Sequence, residues 1–222
     1  MTVVPVTLLV VAKAPVPGRA KTRLAATVGD QVAAEIAAAA LLDTLEAVTA
    51  TPVATRIVAL TGELDDAARA AEIRRRLAPF TVIGQRGNHF GDRLANAHAD
   101  AAAVDGHPVL QIGMDTPQVT AGLLADCGRR LAESSAVLGL ARDGGWWALG
   151  VHTPALAEGL RDVPMSQPDT GALTLKSLRG NGVSVALLDE LADFDIADDV
   201  AAVRADCRPG SRFAHVTRAA GL

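Results

Sequence analysis

The stretch "VTLLVVAKAPVPGRAKTRLA", residues 6–25, joins a short apolar run to a segment that is rich in proline and positive charge. The run "VTLLVV" predicts a buried β-strand because it is brief, continuous and rich in β-branched residues. Pro15, Pro17 and Gly18 follow within a few residues, and these residue types end a strand and turn the chain. The stretch therefore predicts the first strand-to-helix connection of an α/β fold.

The rest of the chain repeats this alternation of short β-rich runs and alanine-rich segments of helical period, which is typical of βα units that build a largely parallel sheet. The fold class that we predict is a three-layer α/β/α domain with a mostly parallel, mixed sheet. The predicted strands are 7–11, 56–60, 81–83, 109–112, 137–141, 147–151 and 183–188. The predicted helices are 29–48, 65–77, 92–103, 121–133, 170–179 and 198–205.

Length and composition limit the domain organisation and the class of partner. The chain has 222 residues, half of them hydrophobic, which suits a single domain over 1–222, and we expect a loosely ordered tail at 208–222. A net charge of −4 argues against general nucleic-acid binding, because such binding needs many basic groups facing phosphates. We find no secretory signal pattern and no apolar run of about 20 residues, so we expect no membrane span, a cytoplasmic location and small-molecule partners.

The cations after the first strand point to a phosphate ligand. Ligands of open α/β sheets bind at the carboxyl ends of the strands, which is where this segment begins. Its basic residues are Lys13, Arg19, Lys21 and Arg23, and Gly18 allows close approach of the backbone. The spacing matches neither the Walker loop nor the GxGxxG fingerprint. The alternative is that these cations are solvated and that the prolines and glycine only turn the chain.

Carboxylates follow two other segments and suggest a metal site. "VLQIGMDTPQVT" places Asp115 directly after an apolar run, and "LADFDIADDVAAV" contains Asp195 at a strand-to-helix turn. Asp198 and Asp199 suit the positive N-terminus of the next helix, which leaves Asp195 for a ligand role. Mg²⁺ or Mn²⁺ is commonly held by one or two carboxylates together with phosphate oxygens. The alternative for Asp115 is a turn or capping role.

A diglycine turn follows another predicted strand, in "LARDGGWWALGV". Asp143, Gly144 and Gly145 could form a hairpin that only places a tryptophan in the core. The glycines also allow a substrate to lie against backbone amides, so we assign the three residues to the acceptor side of a site.

Taken in order, "KAPVPGRAKTRL", "QRGNHFGDR", "GMDTPQV", "DGGWWALG" and "DFDIADDV" resemble the motifs of the glycosyltransferase A-like proteins of the domain-of-unknown-function 2064 group. The resemblance implies a nucleotide-diphospho-sugar transferase fold (GT-A type), related to the guanylyltransferases of 2-phospho-lactate and of the molybdenum cofactor. The sequence departs from the motifs at three places: Trp146 and Trp147 replace the usual tyrosine of DGGY, Thr116 stands where serine is common, and "DIADD" lacks the usual Thr-Pro.

The resemblance also implies roles for individual residues. Asp115 and Asp195 fall on the metal-binding pair, and Gln85 and Gly91 lie near the nucleotide base. The positions implied for phosphate binding are Lys13, Pro17, Gly18, Arg19, Lys21 and Arg23. We assign catalytic roles to Lys21 and Asp143.

The reaction type stays open at this level. Transfer of a glycosyl group from a nucleotide sugar is the function we favour. The alternatives are transfer of a nucleotidyl group from a nucleoside triphosphate to a small phosphorylated acceptor, and a nucleotide-binding protein without turnover. Glycosyl and nucleotidyl transfer both need a metal on the donor phosphates.

Overall fold

A computed structural model describes residues 2–222 and contains one seven-stranded sheet. The strands are β1 (Val4–Lys13), β2 (Val53–Thr61), β3 (Thr81–Gly84), β4 (Val109–Gly113), β5 (Ala136–Ala141), β6 (Trp146–Val151) and β7 (Val185–Leu191). Their order across the sheet is β3-β2-β1-β4-β6-β5-β7. β6 runs antiparallel to both of its neighbours, and the other pairs are parallel. The predicted mixed, mostly parallel sheet is confirmed.

Helices cover both faces of the sheet. They are α1 (Thr22–Val28), α2 (Asp30–Ala50), α3 (Ala70–Leu77), α4 (Phe90–Asp105), α5 (Ala121–Glu133), α6 (Thr170–Gly180), α7 (Ala197–Asp206) and α8 (Arg212–Ala219), with a 3₁₀ helix at Pro154–Arg161. One apolar cluster joins the sheet to α2, α3 and α5, and another joins its opposite face to α4, α6 and the 3₁₀ helix. Within the described residues 2–222, no helix is both long and apolar enough to cross a membrane.

Burial of β1 explains why the opening run lies at the centre of the fold. Leu8, Leu9 and Val10 are fully buried, because β1 pairs with β2 on one side and β4 on the other and is covered by helices on both faces. Buried parallel strands have apolar residues on both faces, as "VTLLVV" does. The segment of residues 12–25, here called the opening segment, then continues from β1 at the sheet's carboxyl edge.

The expectation of a loose tail at 208–222 is wrong. The segment contains α8, in which Phe213 is fully buried, with its ring centroid 4.7 Å from that of Phe194. Asp43, a buried residue of α2, accepts hydrogen bonds from the backbone N–H of Arg212 and of Phe213. A buried aromatic ring and a buried acceptor therefore hold the tail against α2 and against the segment that carries Asp195.

Replacement of this ring gives a stability prediction. Phe213→Leu should lower the free energy of unfolding by about 1 kcal/mol, because it removes an aromatic pair while nearly conserving apolar volume. The control is His215→Ala on the exposed face of α8. Urea unfolding of the two variants measures the difference. Equal free energies of unfolding for Phe213→Leu and His215→Ala would show that the packing of Phe213 does not stabilise the protein.

Candidate functional site

The carboxyl edge of the sheet forms one cleft with two adjoining cavities. Parallel pairing brings the ends of β1 and β4 together, with Val11 in register with Gly113. The smaller cavity, about 420 Å³, lies under the opening segment, and the larger, about 750 Å³, extends towards β5 and β6. Lys13, Asp115 and Asp195 line both cavities. The residues that were predicted from three separate segments therefore meet at one place.

The centre of the cleft is the ammonium group of Lys21. Its Nζ donates hydrogen bonds to Asp115 Oδ2 at 2.9 Å and to Asp195 Oδ1 at 2.8 Å. It also donates to the backbone carbonyl of Phe194 and lies 4.3 Å from the centroid of the Phe194 ring. Two carboxylates 80 residues apart in sequence thus converge on a single cation.

The backbone at Lys21 aims its side chain into the cleft. Lys21 has a φ of 47° and a ψ of 50°, the left-handed conformation, at the N-terminus of α1. This conformation is uncommon for a residue other than glycine and requires surrounding structure to maintain it. Its three hydrogen-bond acceptors and the aromatic ring supply that support.

The charges at this centre stabilise each other. Burial would lower the pKa of Lys21, but Asp115 and Asp195 outweigh it and hold that pKa well above its ordinary value. Burial would likewise raise the pKa of Asp195, but Lys21 and Arg23 lower it overall. Lys21 therefore stays protonated and Asp195 stays ionised at neutral pH.

Asp199 fixes the segment that carries Asp195. Its Oδ2 accepts hydrogen bonds from the backbone N–H of Asp195 at 3.1 Å and of Ile196 at 3.2 Å. Asp199 is thus a helix-start residue, as predicted, and it also orients Asp195. Asp198 lies exposed in the same first turn and makes no such contact.

The carboxylate pair fits a divalent cation that also binds phosphate. Asp115 and Asp195 present oxygens to one point, and that point already holds a positive charge. Residues 2–222 contain no cluster of three or more His, Cys, Asp or Glu side chains placed to hold a metal. Two carboxylates alone leave most positions on a hard cation open for phosphate oxygens or water.

The remaining cations of the opening segment differ in position. Lys13 and Arg23 line both cavities, and Arg19 lines the smaller one. Arg23 Nη1 lies 3.2 Å from Asp195 Oδ2, and its side chain is 67% exposed, so it is available to a ligand. Pro17 and Gly18 line neither cavity. Gly18 instead has a φ of 72°, which explains glycine at that turn.

Gln85 and Gly91, the pair expected near a base, separate in the structure. Gln85 lines the larger cavity, and its side-chain amide donates to the carbonyl oxygens of Ala12 at 2.8 Å and Ala59 at 2.9 Å. Gly91 is buried and lines neither cavity. A Cβ at Gly91 would overlap the carbonyl oxygen of Leu160, so close packing of α4 on the 3₁₀ helix accounts for this glycine.

The diglycine turn lies on the far side of the larger cavity. Asp143 Oδ1 accepts a hydrogen bond from the backbone N–H of Gly145 at 2.8 Å, and both residues line the cavity. Gly144 does not line it. Its φ is 90°, and a Cβ there would overlap the carbonyl oxygen of Pro168. Gly144 therefore serves the contact with the loop before α6.

Charge is divided across the cleft. The basic residues of the opening segment lie over the β1 end, whereas Asp143 and Asp193 line the half beyond β4. Arg93 of α4 also lines the larger cavity. Burial, reinforced by Asp143 and Asp115, raises the pKa of Asp193 to about 6. Asp143 and Asp115 thus lie close enough to Asp193 to disfavour its charged form.

Four polar atoms of the larger cavity's lining residues were not predicted as site groups. They are Arg93 Nε, Gln111 Oε1, Thr116 Oγ1 and Trp146 Nε1, each shielded from solvent and without a hydrogen-bond partner among residues 2–222. An unsatisfied buried polar atom costs about 1–3 kcal/mol, so four around one cavity are unusual. Two features of the sequence could have indicated two of these groups. One is the amide of Gln111 within the apolar run "VLQIG", and the other is Arg93 at the end of "QRGNHFGDR".

Solved structures share this fold. A protein assigned as a nucleotide-diphospho-sugar transferase from Desulfovibrio desulfuricans has a TM-score of 0.82 and 24% identity, over 96% of this chain and 94% of that one. The Rv0371C protein of Mycobacterium tuberculosis in complex with manganese has a TM-score of 0.53 and 18% identity, over 90% of this chain and 97% of that one. The 4-diphosphocytidyl-2C-methyl-D-erythritol synthase of Anaerococcus prevotii has a TM-score of 0.53 and 12% identity, over 83% of this chain and 86% of that one.

These likenesses establish the fold, which is that of nucleotide-diphospho-sugar transferases and nucleotidyltransferases. No curated protein matches the sequence. The family model described as "Uncharacterized protein conserved in bacteria (DUF2064)" matches residues 44–167, more than half of the chain. The match includes "QRGNHFGDR", "GMDTPQV" and "DGGWWALG", three of the five motifs on which the resemblance rests. The chain therefore belongs to the DUF2064 family.

Proposed function

We propose that the protein is a metal-dependent transferase that uses a nucleotide donor, and that it transfers a glycosyl group from a nucleotide sugar. The observation that carries this proposal is the convergence of Asp115 and Asp195 on one cation position beside the basic opening segment. A divalent cation held there would neutralise charge on the donor's diphosphate and aid its departure. The fold and the manganese complex of the Mycobacterium tuberculosis protein support a role of this general kind.

In this proposal, three basic residues bind the donor's phosphates and one carboxylate acts on the acceptor. Asp115 and Asp195 would hold the metal, and the Lys21 ammonium, which lies between them in the ligand-free protein, would then donate to phosphate oxygens of the donor. Arg23 and Lys13 flank the diphosphate and hold it by charge-assisted hydrogen bonds. Asp143 lies on the acceptor side, where its carboxylate would accept the proton of an attacking hydroxyl.

The bond changes in glycosyl transfer are simple. The acceptor oxygen forms a bond to the anomeric carbon, the bond from that carbon to the donor phosphate breaks, and a nucleoside diphosphate leaves. The acceptor's proton passes to a carboxylate. The acidic half of the cleft supports this reaction, because it offers acceptors for hydroxyl protons and no excess of cations for a phosphorylated acceptor.

Nucleotidyl transfer is the second candidate, and the number of cations near the opening segment favours it. Lys13, Arg19, Lys21 and Arg23 line the smaller cavity, more positive charge than a diphosphate requires. The 4-diphosphocytidyl-2C-methyl-D-erythritol synthase has the same fold. In this reaction the acceptor's phosphate attacks the α-phosphate and pyrophosphate leaves.

Product analysis separates the two reactions. The protein is incubated with Mg²⁺ or Mn²⁺, neutral and phosphorylated sugars as acceptors, and either nucleotide sugars or nucleoside triphosphates. Release of nucleoside diphosphate from a nucleotide sugar, dependent on the acceptor, supports glycosyl transfer. Release of pyrophosphate from a triphosphate reverses the assignment. Tight, metal-dependent binding of nucleotides without either product indicates a binding protein.

Arg23 gives a prediction on the donor side. Arg23→Ala should weaken binding of a nucleoside diphosphate about tenfold, the lower end for a charge-assisted contact, because the guanidinium is largely exposed. Binding of the corresponding nucleoside should stay unchanged. Isothermal titration in the presence of Mg²⁺ measures both.

The matched control is Arg129→Ala, an exposed arginine on α5 that pairs with Asp126 and lines neither cavity. It should change neither affinity. An equal loss of nucleoside and nucleotide binding in Arg23→Ala would mean that Arg23 does not contact phosphate.

A further inference from the structure

Four residues that line the larger cavity each carry a buried polar atom without a hydrogen-bond partner, and the donor phosphates do not account for them. We define this polar wall by its four residues, Arg93, Gln111, Thr116 and Trp146. Gln111 is 2% exposed and Thr116 is 1% exposed, so both are almost fully buried while lining the cavity. Buried polar atoms normally have partners, and a bound ligand is the partner that a cavity wall can acquire.

The polar wall combines three elements, β4, α4 and β6, with Thr116 from the segment directly after β4. Gln111 lies on β4 two residues after Val109, so the two side chains share the sheet face that α4 covers. Arg93 comes from the first turn of α4, and Trp146 begins β6, the strand next to β4. The four residues therefore surround one region of the cavity.

The hydrogen-bonding types in the polar wall are mixed. Arg93 Nε and Trp146 Nε1 can only donate, Gln111 Oε1 can only accept, and Thr116 Oγ1 can do both. A phosphate group needs donors alone. A hydroxyl group both donates and accepts, so several hydroxyls on one rigid ring satisfy a mixed set.

The charges nearby also disfavour an anionic ligand. Asp143 and Asp193 line the same cavity, and neither forms an ion pair with a cation in the described part of the chain. Their carboxylates can accept from hydroxyl groups but would repel a phosphate. Arg93 is the one cation of the polar wall, facing these two carboxylates, and Lys13 and Arg23 line the cavity from the opening segment.

Apolar surface completes the region. Trp146 and Met165 line the cavity and also pack against the apolar cluster on the α4 face of the sheet. The flat indole of Trp146 can pack against the C–H face of a sugar ring while its N–H reaches a hydroxyl. The cavity, about 750 Å³, has room for a sugar beside the phosphates.

We infer that the polar wall is a subsite for an uncharged, polyhydroxylated ring, a sugar that carries no phosphate of its own. The inference rests on the proposed transfer from a nucleotide donor, and it names the class of the group that occupies the other half of the cleft. The ring has two possible sources, the donor's transferred sugar or a neutral sugar acceptor. Both present the same hydroxyl chemistry to the wall.

The test reads the Trp146 indole directly. The chain has two tryptophans, so protein labelled with ¹⁵N in the indole gives two N–H signals, which Trp146→Phe assigns. Trp147 also lines the cavity and is the comparison signal, because its Nε1 already donates to the carbonyl oxygen of Asp189 at 2.9 Å and is not free to donate to a sugar. The probes are glucose, mannose, galactose and N-acetylglucosamine, each beside its 6-phosphate, together with nucleosides, nucleoside diphosphates and nucleotide sugars.

The expected result is a downfield, saturable shift of the Trp146 signal with one or more neutral sugars or nucleotide sugars, and no shift with nucleosides. The 6-phosphates should bind at least tenfold more weakly than their neutral partners. A shift with a nucleotide sugar beyond that of its diphosphate identifies the donor's ring, and a shift with a free sugar identifies an acceptor. Equal or tighter binding of the phosphates, a shift caused by nucleosides, or no shift with any sugar overturns the inference.

A near-isosteric variant separates the wall from general packing. Thr116→Val removes only the hydroxyl and should weaken the sugar-induced shift at least threefold while leaving metal-dependent nucleotide binding unchanged. The control is Thr217→Val, a buried threonine of α8 remote from the cavity, which should change neither. Sugar binding without any metal-dependent nucleotide binding would refute the proposed function and leave the subsite standing. Metal-dependent nucleotide binding without any sugar binding would refute the subsite and leave the proposed function standing.

Discussion

Asp115→Asn should abolish the stabilisation of the protein by metal and nucleotide together. The amide keeps the shape of the side chain but removes the anionic ligand that a hard cation requires. A ligand present at about 100 times its Kd stabilises the folded state by about 2.7 kcal/mol, so the loss is large on a thermal-shift scale. The measurement is the rise in melting temperature when Mg²⁺ and nucleoside diphosphate are added, determined separately for the wild type and for each variant.

Asp198→Asn is the matched control, because it makes the same chemical change three residues from the ligand carboxylate of Asp195. Asp198 is exposed in the first turn of α7, so its variant should lose about 0.3–1 kcal/mol of stability and keep the full ligand shift. Asp195→Asn should behave as Asp115→Asn does. An undiminished shift in both ligand variants would contradict the assignment of the pair.

Lys21→Met should have opposite effects on metal binding and on nucleotide binding. The variant keeps most of the apolar stem and removes the ammonium that lies between Asp115 and Asp195. Binding of Mn²⁺ without nucleotide should tighten at least tenfold, because no internal cation competes for the carboxylates. Binding of nucleoside diphosphate should weaken, because a phosphate contact is lost.

The same variant should be less stable in a pH-dependent way. Lys21 is 10% exposed on its side chain, and its two partners are partly exposed, so the loss at pH 7 should be about 2 kcal/mol, below the range for a fully buried pair. The pKa of Asp195 is lowered in the folded protein, so this stability is present above the ordinary pKa of an aspartate. It disappears as the pH falls through the folded-state pKa of Asp195, when that carboxylate becomes protonated.

Thermal unfolding of the ligand-free proteins between pH 7 and pH 3 measures this dependence, and Lys176→Met, an exposed lysine of α6, is the control. The difference between wild type and Lys21→Met should narrow as the pH falls. A constant difference across this range would show that Lys21 stabilises the fold by packing rather than by charge.

The sheet could be predicted because its strands are short apolar runs separated by turn residues. β1 to β6 each contain a predicted run, and β7 overlaps the run predicted at 183–188, with ends displaced by a few residues. The prediction missed α1, because the prolines and glycine just before it indicate a loop and its helix begins only after Lys21. It also missed α8, whose apolar face is short and is recognisable only through its contact with Phe194.

The site was predictable in its parts but not in its arrangement. Asp115 and Asp195 were expected to meet because each follows a strand that ends at the same edge of the sheet. The position of Lys21 between them depends on a left-handed backbone and on a contact across 174 residues, which no local pattern encodes. Gln111 and Thr116 were missed because a polar residue in or beside a buried strand usually forms hydrogen bonds with its neighbours. Only the three-dimensional structure shows that Gln111 Oε1 and Thr116 Oγ1 have no such partner.

We propose that Asp115 and Asp195 receive a divalent cation that carries the donor's phosphates, in place of the Lys21 ammonium. Electron paramagnetic resonance of Mn²⁺ titrated into the protein with a nucleoside diphosphate measures this binding. Wild-type protein should remove free Mn²⁺ well beyond what the nucleotide removes alone, the bound ion should show coupling to ³¹P, and Asp115→Asn and Asp195→Asn should abolish the excess binding. A free-Mn²⁺ signal that is the same with and without the protein would show that the two carboxylates do not bind the metal.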